Sequence, residues 1–319
     1  MLTRNLLRAV PVALCLSLAG CNWVLLNPSG DIARQQSDLL ITSTWLMLLI
    51  VVPVIGLSLW FAWHYRESND KATHTPDWDH STLIELYVWA APLLIIIALG
   101  ALTWVTTHTL DPFRPLDRVA PDQPIVAEDV EPLRIQAVAL EWKWLFIYPE
   151  YNIAVVNELA APLDRPIRFE NTSPQMMNSL FIPTLAGMVY AMPGMQTLLH
   201  AVINEPGNYY GISGNYSGPG YNGMRFRFYG LSDGDFDEWV ARARAAPDHL
   251  DITSYQVLAK KSTYNPVQRF STVEGDLYQR ILNLCVEPGK MCINDMMAHT
   301  EQLHSGAAGK RAEPAATEH

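Results

Sequence analysis

Three groups of residues in this 319-residue chain have the types and spacing to do chemistry. Cys21 closes the run Leu18-Ala19-Gly20-Cys21, a thiol placed behind small residues at the end of an apolar block, the setting for processing after export. Glu85 is the carboxylate at the edge of the uncharged run 86–107, where it could pass a proton or cap a helix. Cys285 and Cys292 are close enough in sequence for a local disulfide. A copper electron-transfer site needs thiolate and imidazole. Residues 125–230 contain no cysteine and one histidine, His200, so no such site can form there.

The elements that position these groups begin with three apolar blocks. Arg4 and Arg8 precede an uncharged stretch, Ala9–Ala19, that is too short to span a bilayer and reads as a signal over residues 1–20. Its Leu-Ala-Gly-Cys end resembles the lipobox of bacterial lipoproteins, which implies cleavage before Cys21 and acylation of that residue, with palmitate-type chains. An ordinary signal peptide with an incidental cysteine is the alternative. Residues 39–63 and 86–107 carry no Asp, Glu, Lys or Arg, and each is long enough to cross a hydrocarbon core of about 30 Å. They predict transmembrane helices over 39–63 and 83–107, with Pro53 and Pro92 marking kinks.

If Cys21 is anchored outside, parity puts the exported segment 21–38 and everything after about 108 outside, and the loop 64–82 in the cytoplasm. The loop's Arg66 and Lys71 are outnumbered by acids, so the positive-inside rule adds little. Between about Ile125 and Tyr229 short β-rich runs such as Leu133-Arg134-Ile135-Gln136-Ala137-Val138 predict a sandwich within 108–232. Helical patterning resumes at Asp233 and continues in short pieces to about residue 304, and the Gly, Ala, Pro and charge of 305–319 predict an unstructured tail. The formal net charge of −10 argues against nucleic acid, because attraction to a phosphate backbone needs clustered Lys and Arg. For Cys285 and Cys292, a metal site with His299 and His304 or two free thiols are the alternatives to a disulfide.

The passage Ile212-Ser213-Gly214-Asn215-Tyr216-Ser217-Gly218-Pro219-Gly220-Tyr221-Asn222-Gly223-Met224 resembles subunit II of the haem-copper oxidases. In its cytochrome c oxidase members a cupredoxin sandwich holds a dinuclear copper centre in a loop Cys-x-x-x-Cys-Gly-x-x-His-x-x-Met. On that pattern Ser213 and Ser217 occupy the cysteine places, Tyr221 the histidine place, and Met224 alone is kept; the upstream histidine falls on Asn178. A scaffold without these ligands resembles the quinol-oxidase branch, of cytochrome bo type. The extension with Phe236-x-x-Trp239-Val240 and Tyr264-Asn265-Pro266-Val267-x-x-Phe270 is similar to the one peculiar to that branch.

The resemblance implies a membrane-anchored α+β chain: a two-helix hairpin, an all-β cupredoxin-like sandwich and a helical C-terminal extension. It implies a quinol:dioxygen oxidoreductase whose haems and copper sit in a partner subunit I, with subunits III and IV, membrane lipid and ubiquinol as further associates, and no cofactor on this chain. The location implied is the bacterial inner membrane with the C-terminal domain periplasmic, and the complex would translocate protons. Glu85, in Glu85-Leu86-Tyr87-Val88-Trp89-Ala90-Ala91-Pro92, matches the family's Glu-x-x-Trp-x-x-x-Pro run, where the glutamate marks the mouth of a proton path; Thr82-x-x-Glu85 equally reads as a capping box. Trp142 and Trp144, two apart on an expected strand and sharing a face, read as packing or a docking surface. Met188, Met192 and Met195 read as loop packing. The rival from another class is a copper-free cupredoxin lipoprotein that binds or assembles envelope partners without catalysis.

Overall fold

The computed structural model describes residues 23–73, 75–125 and 131–311, with side chains up to residue 302. The signal segment 1–20, Cys21 and the tail from 312 lie outside the described residues.

Two long helices come first, α1 (Asp31–His64) and α2 (Thr82–Thr109). At 1.5 Å per residue their 34 and 28 residues reach about 51 and about 42 Å, more than a hydrocarbon core requires. Their apolar stretches are entirely unburied and form two candidate membrane spans, so the chain is membrane-anchored. Both helices continue through Pro53 and Pro92. α1 starts eight residues before the uncharged run because its first two turns pack on the following domain, where Asp31, Ala33 and Ser37 are buried.

The domain is a sandwich of two sheets. Its strands are β1 (Leu133–Leu140), β2 (Lys143–Tyr148), β3 (Ile153–Val156), β4 (Glu158–Pro162), β5 (Ile167–Thr172), β6 (Asn178–Phe181), β7 (Val189–Ala191), β8 (Thr197–Ala201), β9 (Gly207–Ser213), β10 (Arg225–Leu231) and β11 (Gln268–Phe270). One sheet runs β8-β5-β1-β2-β3-β11 and the other β4-β10-β9-β6-β7. The two-residue period decides the layering. Along β1, Leu133, Ile135, Ala137 and Ala139 face the second sheet, whereas Val138 and Leu140 face away from it.

That outward face would be wet in a simple sandwich, but here the C-terminal extension covers it with Leu250, Tyr255, Leu258, Leu277, Tyr278 and Ile281. These residues lie on or beside α4 (Ile252–Leu258) and α5 (Leu277–Leu282), while α3 (Asp233–Arg244) closes the main core with Phe236, Trp239, Val240 and Ala243 at helical spacing. The extension is therefore more than helical: its strand β11 pairs antiparallel with β3, Gln268 opposite Val156 and Phe270 opposite Ala154. An open sheet edge takes a partner, and Phe270 buries against the outward face.

Cys285 and Cys292 are joined by a disulfide, which ties α5 to α6 (Ile293–Arg311). α6 runs beyond Ser305, where composition predicts an unstructured tail. Ala307, Ala308, Lys310 and Arg311 are good helix formers, and lengthening an existing helix is far easier than starting one.

Candidate functional site

The residues at the expected ligand places converge on the ends of β6 and β9. Asn178 opens β6 and Ser213 ends β9, and both are buried. The Ser213 hydroxyl is directed to Asn178 Oδ1 and to the Asn215 carbonyl, each at 3.2 Å. Asn178 Nδ2 donates to the Met176 carbonyl at 3.0 Å, so both ends of its amide are engaged. Ser217 lies four residues on, buried, with its carbonyl accepting the Trp142 indole N–H at 3.0 Å. Its hydroxyl is enclosed without a hydrogen-bond partner, a real cost for a polar group. Tyr221 packs edge-on against the exposed Tyr216 at 5.7 Å, and Met224 is buried in the main core.

The chemistry of this constellation is settled by its donors. Neutral hydroxyl, amide and phenol oxygens offer a soft copper pair neither bridging thiolate nor imidazole. The residues present do not fit a dinuclear copper centre. Among the described residues, no three His, Cys, Asp or Glu side chains gather in a metal-binding group. The disulfide leaves neither Cys285 nor Cys292 a free thiolate.

Trp142 departs from its expected place. It occupies the two-residue turn between β1 and β2, with φ of 62°, instead of sharing a strand face with Trp144. A bulky residue in that left-handed region is strained and must be held. Its indole N–H is bonded to the Ser217 carbonyl, its ring lies where a side chain on Gly220 would have to be, and Lys261 sits 4.7 Å from the ring centroid. Trp144 remains on β2, fully buried and stacked with Phe146 at 6.2 Å.

The loop carrying Lys261 belongs to the extension and is bolted onto the sheet. Buried Lys143 donates to the Lys260 carbonyl at 2.8 Å and to the Ser262 hydroxyl, and Asn157 Nδ2 donates to the Asn265 carbonyl at 2.9 Å. Burial pulls the Lys143 ammonium below its ordinary value, against the opposing pull of Glu141. Sequence reasoning missed Lys143 and Asn157, because their partners lie more than a hundred residues away.

At the far end of the hairpin, Ser81 and not Thr82 is the N-cap of α2, and it makes no side-chain capping bond. The expected capping box is absent for that reason: Thr82 is already the first helical residue, so Glu85 stands one place too late to close it. Glu85 Oε1 instead lies 2.7 Å from His80 Nδ1, and His80 Nε2 lies 3.2 Å from Thr82 Oγ1. Because a carboxylate only accepts, the tautomer that satisfies both contacts has His80 Nδ1–H donating to Glu85 and Nε2 accepting from the threonine.

The other ends of both helices are fastened to the sandwich. Asp31, at the start of α1, takes two bonds from Arg118, at 2.8 and 3.2 Å, and one from Gln35 at 2.7 Å. Just past α2, the Pro112 carbonyl accepts from the His200 backbone N–H and lies 3.1 Å from its Nδ1. Gly30 fits because a Cβ there would stand 2.5 Å from the Val202 carbonyl oxygen. The start of α1 and the end of α2 thus meet the same domain, leaving the turn that contains Glu85 at the opposite end of the hairpin.

Comparison with known proteins places these features. The COX Aromatic Rich Motif family matches residues 244–289, which include α4, β11 and α5. The chain is 51% identical over 268 residues to the cytochrome bo(3) ubiquinol oxidase subunit 2 of Pseudomonas putida, covering 84% of this chain and 82% of that one. It is 48% identical over 276 residues to the protein of the same description from Pseudomonas aeruginosa, covering 86% and 80%. Among solved structures, the periplasmic domain of subunit II of cytochrome oxidase from Bradyrhizobium japonicum aligns with 34% of this chain and 91% of its own, at 21% identity and a TM-score of 0.34.

Proposed function

The chain belongs to the cytochrome bo(3)-type ubiquinol oxidase subunit 2 family, and from that membership we propose that it is the metal-free subunit II of a terminal quinol:dioxygen oxidoreductase. The observation that carries this reading is the pairing of Ser213 with Asn178 on a sandwich carried by a membrane hairpin. An electron relay through this domain has no ligands to run on, so electrons must reach the oxygen-reducing centre from membrane quinol without passing through it.

In this reading the haems and copper belong to subunit I, subunits III and IV complete the complex, and ubiquinol is the substrate. Cys21 is lipidated, the sandwich faces the periplasm, and the complex translocates protons across the inner membrane. Glu85 is the proton-uptake carboxylate at the cytoplasmic mouth. Support for that role comes from its hydrogen bond to His80, an ionisable group at the membrane edge, and from the unformed capping box. The shared seating of both helix ends on one domain supports the orientation, because a single face then receives the start of α1 and the end of α2.

The test is gentle detergent extraction of the affinity-tagged chain from its own membrane. A haem spectrum in the eluate and oxygen uptake on added quinol are expected. A haem-free eluate without quinol-dependent respiration would remove the proposal.

A further inference from the structure

A cavity of about 680 Å³ opens where the hairpin meets the sandwich, lined by Gln35 and Gln36 of α1, by Leu110 and Asp111 just past α2, and by Arg114 and His200. Its level relative to the bilayer follows from the helices. Trp45 and Trp104 are 69% and 71% exposed, and each lies 19 residues, about 28 Å of helix, from the residue at the other boundary, His64 on α1 and Glu85 on α2. That is one hydrocarbon thickness, and tryptophan favours the interface. The uncharged stretch of α2 ends at Thr107 and that of α1 begins at Leu39, so the cavity, which Gln36 and Thr109 help to line, starts within a turn of both stretches. It lies where head groups meet water.

Its charges select a chemistry. Asp31 and Arg118 neutralise each other in a two-bond pair. Arg114 meets Asp117 in a solvent-facing pair at 3.1 Å, which is weak and leaves most of the guanidinium donors free. Asp111 has one oxygen on the Phe113 N–H at 2.9 Å and, among the described residues, no cation within ion-pair distance. The lining therefore presents an unpaired carboxylate close in sequence to an available guanidinium, with a surplus of one negative charge over the five ionic groups. Leu110, Pro115 and Leu116 supply an apolar wall.

We infer that this cavity seats the head group of a zwitterionic phospholipid from the leaflet on the domain's side, its ammonium on Asp111 and its phosphate on Arg114. An anionic head group would meet the surplus negative charge and would leave Asp111 unpaired. The acyl chains continue down the exposed apolar faces of α1 and α2. The inference needs a bilayer-spanning hairpin and does not depend on the oxidase reading.

Photoactivatable phosphatidylethanolamine, added to the full-length protein extracted with its partners, tests it. Labelling should fall on peptides 31–36 and 109–118, should be competed by phosphatidylethanolamine and not by phosphatidylglycerol, and should fall about tenfold in the Asp111→Asn, Arg114→Gln double variant, the loss expected for charge-assisted bonds. Label elsewhere on the hairpin should be unchanged, which separates lost binding from lost folding. Equal competition by phosphatidylglycerol would overturn the inference. So would displacement by soluble phosphorylethanolamine at the same concentration, the mark of a free-phosphate site, or wild-type labelling that avoids both peptides. A partner-subunit segment found cross-linked inside the cavity would overturn it as well.

Discussion

Ser213 donates a 3.2 Å hydrogen bond to Asn178, so two positions that the copper-bearing pattern fills with cysteine and histidine are tied together as a neutral pair. Copper analysis of the purified full-length protein should find no stoichiometric dinuclear copper, and a near-infrared scan no copper band. Replacing Ser213 with Ala should cost about 1 kcal/mol in thermal stability, the worth of a neutral hydrogen bond, and leave quinol-dependent oxygen uptake unchanged. A copper centre that forms on metallation and accepts electrons from a soluble haem protein would contradict the donor-set argument.

The hairpin's seating depends on Asp31, which is almost fully buried against a partly exposed Arg118. Asp31→Asn removes the carboxylate charge but leaves a guanidinium that water still reaches, so the loss should be about 2 kcal/mol, below that of a fully enclosed pair. Gly30→Ala should act at the same joint, because its Cβ would meet backbone atoms, the Val202 and Leu185 oxygens, at 2.5 and 2.8 Å. Limited proteolysis near residues 110–125 should become faster in both variants. Unchanged cleavage would show that the joint does not hold the helices.

His200 gives this joint a pH dependence. Burial lowers its affinity for a proton, the bond to the Pro112 carbonyl partly opposes that, and Arg168, its cross-strand neighbour, adds to the lowering. The unfolded chain takes up the proton near the ordinary histidine value of about 6.5, whereas the folded chain resists until lower pH. The contribution is therefore fully present above that value and is lost as pH falls toward the folded-state value. Asp111 and Arg114 also line the adjoining cavity, so the comparison must be made within one background. Thermal unfolding followed from pH 7.5 downward should show a decline that is shallower in His200→Gln; identical slopes would remove His200 as the cause.

The parts legible in the sequence were those encoded over short distances. Uncharged runs mark the spans, alternation in residues such as Leu133–Val138 marks the sheet, and the resemblance to the oxidase subunit II loop puts Ser213, Ser217 and Tyr221 at the lost ligand places. What stayed hidden depends on remote pairs. Asp31 and Arg118 are 87 residues apart, and nothing near either residue announces the other. The three residues of β11 carry too little pattern to stand out from a helical extension, and their pairing depends on the open edge of β3. Trp142 has the alternation of a strand residue, and alternation cannot register a two-residue turn with a positive φ.

Glu85, which meets His80 at 2.7 Å, has two candidate roles that substitution separates. A purely structural contact with His80 lost in Glu85→Ala would cost about 1 kcal/mol and little turnover. A proton-uptake group would lose turnover instead, roughly 10²-fold if proton delivery becomes limiting, while the haem spectrum and subunit composition stay intact. Glu85→Asp shortens the side chain and should recover part of the rate, whereas Glu85→Gln keeps the shape and should recover little. Steady-state oxygen uptake on quinol, measured for the three variants in detergent and again across pH, distinguishes them. Activity in Glu85→Ala equal to that of the unaltered complex would leave the carboxylate without a proton-uptake role.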